Sequence, residues 1–79
     1  MKNMMQWEIE KIINVCNELT QTNQTGASTS ELIAAAFVLN KMEYLPRGYS
    51  VIEAWERLDD WQVHVKRIRH QYMYLIEGA

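Results

Sequence analysis

The chain has 79 residues, 48% of them apolar and 23% charged, with a formal net charge of −2. A chain this short makes one domain, residues 1–79, and buries only about 60% of the surface it exposes when unfolded, so a modest core reinforced by association is expected. This composition excludes a disordered chain and a general electrostatic pull toward nucleic acid. The single cysteine, Cys16, excludes an internal disulfide and a cysteine-built zinc site. No stretch of about 18 uncharged apolar residues occurs, and Glu8 and Glu10 precede any apolar run of signal-peptide length. A cytoplasmic protein with no membrane partner is the expectation.

The first predicted helix covers about residues 4–20. Met5, Ile9, Ile12, Ile13, Cys16 and Leu19 recur at the spacing of one helical face, with Glu10, Lys11, Asn14, Asn17 and Glu18 opposite. Trp7 falls on the polar side, where it is either covered by a neighbouring loop or offered to a partner. Gln21 to Ala27 holds no large apolar residue and reads as a solvated connection. Ser28 and Glu31 then stand at capping-box spacing and open a second helix, over about 29–44.

That second helix is apolar on nearly every side from Leu32 to Leu39, with three consecutive alanines that permit close approach of another helix. It must be enclosed, and a three-helix monomer would supply only two neighbours, which points toward an oligomer. Leu45-Pro46-Arg47-Gly48-Tyr49 interrupts the pattern, with Pro46 at the second and Gly48 at the fourth position of a type I turn. Arg47, between Tyr44 and Tyr49, is a candidate partner contact together with Tyr49, the alternative being that the two tyrosines close the end of the core.

From Ser50, which makes a second capping box with Glu53, the sequence predicts one long helix over about 51–77, closed by Gly78 and roughly 40 Å long at 1.5 Å per residue. Val51, Leu58, Val65 and Tyr72 fall seven apart, as do Ala54, Trp61, Ile68 and Leu75, an a/d seam kept for four repeats. The predicted fold class is therefore an all-α three-helix domain assembled as a helical-bundle homodimer. Its expected interface is Val51, Ala54, Trp55, Leu58, Trp61, Val65, Ile68, Tyr72 and Leu75.

No constellation names a reaction. His64 and His70 are six apart and point in different directions on a helix, which disfavours a shared metal. Asp60 and His64 have i, i+4 spacing, but no nucleophile is within sequence reach, and Cys16 sits on an apolar stripe as a packed thiol. The expectation is no catalytic residue, no cofactor and no metal. Lys66, Arg67, Arg69 and His70 form a basic cluster that could hold phosphates; Glu53, Glu56, Asp59 and Asp60 crowd the other half of the segment, in the sense favoured by the helix dipole. The functional expectation is a non-catalytic regulator, inhibitor or adaptor that binds an unidentified macromolecule. Alternatives are nucleic-acid binding through the basic cluster and a small apolar ligand held between helices.

Overall fold

The structure is a computed structural model that describes residues 6–77. Met4, Met5 and Gly78, used above to bound the first and last helices, lie outside the described residues. Four α-helices follow in order: α1 (Trp7–Thr22), α2 (Thr29–Leu39), α3 (Val51–Leu58) and α4 (Trp61–Arg67). A 3-10 turn, Met42–Tyr44, lies between α2 and α3, and α4 continues through π-helical Ile68–Tyr72 into a 3-10 turn at Met73–Leu75. The described residues contain no strand.

α1 buries Ile9, Ile12, Ile13, Val15, Cys16 and Leu19, the expected stripe with Val15 added at its edge. Asn23 ends it in the left-handed conformation at φ 63, its N–H bonded to the Leu19 carbonyl at 2.9 Å; Asn tolerates this backbone better than most residues. The connection then doubles back. Thr25 donates to the Glu18 carboxylate, and Gly26 and Ala27 lie beside Lys11, Asn14 and Val15. The second helix thereby starts beside the middle of α1 rather than at its end. The Ser28–Glu31 capping box is present in both directions, at 3.3 and 3.0 Å.

α2 is the centre of the molecule. Ile33, Ala34, Ala35, Ala36 and Val38 are all fully buried, and α1, α3 and α4 each pack against it. It ends at Leu39 instead of Tyr44, because Asn40 adopts φ 57 and closes a Schellman motif: Asn40 N–H bonds to the Phe37 carbonyl at 3.2 Å and Lys41 N–H to that of Ala36 at 2.9 Å. Arg69 donates to the carbonyl of Val38 at 2.8 Å, setting a cation where the helix dipole is negative. The following turn also differs from the type I expectation by one residue. Tyr49 N–H bonds to Pro46 O at 3.4 Å and Gly48 takes φ 91, which is the third position of a type II turn and needs glycine.

The largest departure concerns the predicted long helix. Its start is as expected, with Ser50 and Glu53 completing a capping box, but Asp59 adopts φ 51, ψ −118 and Asp60 φ −62, ψ −24, so the segment is broken into α3 and α4. Those angles fit the central residues of a type II′ turn, whose first central position ordinarily belongs to glycine. Gln62 Nε2 donates to the Trp55 carbonyl at 2.8 Å and satisfies one of the carbonyls that α3 leaves open. The physical reason for the break lies in α2: one continuous rod offers it a single wall, whereas a rod folded at Asp59–Asp60 offers two. The described residues thus form four α-helices where three were expected.

Most of the seam residues lie in or against the core of the single chain. Ala54, Leu58, Val65 and Ile68 are buried in the core, and Trp55, Trp61, Tyr72 and Leu75 are partly buried against it. Val51 alone among them is substantially open, at 48% exposure. A stripe that would face a sister helix along a straight rod faces α2 from two sides once the rod is folded. Past Tyr72 the chain is held to α1 by Asn17, whose Nδ2 donates to Leu75 O at 3.2 Å and whose Oδ1 accepts from Glu77 N–H at 2.8 Å. Asn17, read above as a solvated side chain, is a clamp on residues 75–77.

Candidate interaction surface

Where α2 ends, α3 and α4 diverge around an open cleft of about 400 Å³, lined by Phe37, Asn40, Trp55, Val65, Lys66 and Arg69. Its floor is an aromatic pair: the rings of Phe37 and Trp55 meet edge to face with centroids 5.0 Å apart. Val51 and Ile52 precede Trp55 by four and three residues on α3, which makes them its neighbours on the helix surface, and Ile52 is 69% exposed. An apolar strip therefore runs out of the cleft onto the first turn of α3. Among the described residues, the charged side chains lining the cleft are Lys66 and Arg69.

The residues expected to bind are dispersed. Trp7 is 66% exposed at the start of α1, and Arg47 is exposed in the turn before α3. Tyr49 is half-buried with the Arg57 guanidinium 5.8 Å from its ring centroid, and Tyr44 donates to Asn23 Oδ1 at 2.8 Å, so both tyrosines serve the end of the core. Lys66, Arg67 and His70 are exposed, whereas the Arg69 guanidinium is committed to the carbonyls of Phe37 and Val38. Arg69 thus spends one nitrogen on a structural contact while its side chain stays exposed and charged beside the other three. His64 stands edge-on to Trp61 with centroids 6.1 Å apart, its Nδ1 enclosed without a hydrogen-bond partner.

Comparison with known family models, with characterised proteins and with solved structures gives no match.

The cleft therefore stands on its own geometry. Phe37, Ile52 and Asn40 were not singled out by sequence reasoning; Ile52 lies off the heptad seam, and only the side-by-side placement of α2 and α3 gives Phe37 its aromatic partner. Among the described residues no helix is long and apolar enough to cross a membrane.

Cys16 belongs to the core. Its thiol is fully buried, faces the Ala35 carbonyl at 3.9 Å, and is pushed by burial from 9.0 up to about 12. Because the folded value is the higher one, the stabilisation is whole below pH 9 and is lost as pH rises from there toward 12, at about 1.4 kcal/mol per pH unit. Urea unfolding at pH 8 and at pH 10 should show the wild type losing about 1 kcal/mol more than Cys16→Ala does over that step. At neutral pH, labelling of the native thiol by iodoacetamide should proceed only through unfolding; rapid labelling would place it at the surface.

Proposed function

We propose that the chain is a non-catalytic helical binding module that takes an apolar, acidic segment of a partner macromolecule into the cleft between α2, α3 and α4. The observation that carries this reading is the Phe37–Trp55 pair opening onto exposed Val51 and Ile52, in a cleft whose charged lining among the described residues is Lys66 and Arg69. Covering a large apolar side chain contributes about 1.5–3 kcal/mol, whereas an exposed ion pair contributes about 0–1 kcal/mol. The aromatic floor thus sets the affinity, and the two cations select an acidic partner over a basic one.

The test is co-purification from cells of the source with wild-type chain and with Trp55→Ala, Lys66→Glu and Trp7→Ala, followed by titration of the purified partner. Trp55→Ala should raise Kd at least about tenfold, Lys66→Glu should raise it about threefold and more at low salt, and Trp7→Ala should leave it unchanged. A partner that binds Trp55→Ala as well as the wild type refutes the cleft.

Nucleic-acid contact is the second reading, favoured by the exposure of Lys66, Arg67 and His70 on one helical segment. The absence of oligonucleotide binding at low salt rejects it, and binding that falls steeply with added salt supports it.

A further inference from the structure

The turn at Asp59–Asp60 combines features that do not usually occur together. It is two residues long, and its first residue has φ 51 with ψ −118, a conformation a side-chain-bearing residue adopts only under strain. The segment 51–77 nevertheless contains neither proline nor glycine, and its apolar spacing passes through the break in unaltered helical register, Leu58 to Trp61 to Val65. Straightening the turn would therefore give one continuous helix with the seam positions Leu58, Trp61, Val65 and Ile68 still on one side. Both α3 and α4 pack more extensively on α2 than on each other, so the fold asks for the two walls and is indifferent to whether one chain supplies both.

From these observations we propose that two copies of the chain exchange residues 61–77. In the exchanged dimer the turn is straight, α3 and α4 form one helix, and α4 lies against the α2 of the other copy. Each contact that holds this segment in the single copy is remade between copies: Val65 and Ile68 in the core, Arg69 on Val38 O, and Leu75 and Glu77 on the Asn17 side chain. The Gln62–Trp55 bond is replaced by an ordinary helical one. The exchange adds relief of the Asp59 backbone in both copies and a new crossing of two long helices near Trp61. It loses the independence of two bodies, so it grows with concentration. Short strained hinges are the known invitation to such exchange.

The test uses sedimentation velocity on the whole chain from micromolar to millimolar concentration. The wild type should show a dimer fraction that rises with concentration. Asp59→Gly, which suits the turn and disfavours a helix, should weaken the dimer by about 25-fold or more, because two turns are affected per dimer. The pair Asp59→Ala and Asp60→Ala, which suits a helix, should tighten it by a similar factor. A second readout identifies the exchange itself. Gln21 and Glu77 are side-chain neighbours, so Gln21→Cys with Glu77→Cys, bridged by a short bismaleimide, should tie two chains together in the dimer fraction and one chain to itself in the monomer. A double-alanine protein that stays monomeric at millimolar concentration overturns the proposal. So does a dimer whose bridges remain within single chains, which would be a dimer through another face.

Discussion

Ile68→Ala should lower the unfolding free energy by about 2–5 kcal/mol, while Val51→Ala should change it by no more than about 0.5 kcal/mol. Ile68 is fully buried in the core, so removing its side chain leaves a cavity; Val51, at 48% exposure, has little enclosed surface to lose. In a straight helix with a sister molecule along its seam, both residues would lie in the same apolar contact and the two losses would be of similar size. Urea midpoints at one protein concentration decide between the arrangements. Equal effects would mean that the broken segment is not the form present in solution. For a domain this small the Ile68 loss is a large fraction of total stability, so the alanine variant is expected to be partly unfolded at 37 °C.

Ala35→Leu is expected to cost at least about 1–3 kcal/mol, although leucine is nearly as good a helix former as alanine. The methyl group of Ala35 is fully enclosed, and the same backbone carbonyl accepts the Cys16 thiol from α1, so the two helices have no slack at this point. Three added carbons must push a wall outward. A leucine variant with an unchanged melting temperature would show that α2 has an open side, and the explanation given for the break at Asp59 would fail with it.

That explanation also shows where the sequence was legible. Both capping boxes, the α1 stripe and the enclosure of α2 follow from local spacing, and each appears where the spacing put it. The break does not follow from spacing, because the apolar positions of residues 51–77 satisfy a straight rod and a folded one equally well. Two clues were present: adjacent aspartates, poor in a helix interior, and an inner helix that needs three walls from a chain credited with only two other helices. The second clue is met equally by another subunit and by a folded rod, and in the structure the folded rod supplies a third wall from within the chain. Arg69 was grouped with Lys66, Arg67 and His70 by sequence proximity; its partners, the carbonyls of Phe37 and Val38, are some thirty residues away, and only the packing of α4 against α2 brings them together. The cleft was invisible for the same reason, since Phe37 and Trp55 belong to helices whose relative placement no local pattern records.

The clamp formed by Asn17 has a consequence for how the chain is made. Its two hydrogen bonds join the first helix to residues 75 and 77, and the last wall over α2 is built from residues after position 60. A nascent polypeptide emerging from the ribosome with only its first three helices would leave α2 without the wall that α4 supplies, with the amide side chain of Asn17 facing nothing. Vectorial folding cannot finish; the native state should instead form in a single late step, and a translational pause before codon 61 should lengthen the time the growing chain spends exposed to chaperones and to aggregation.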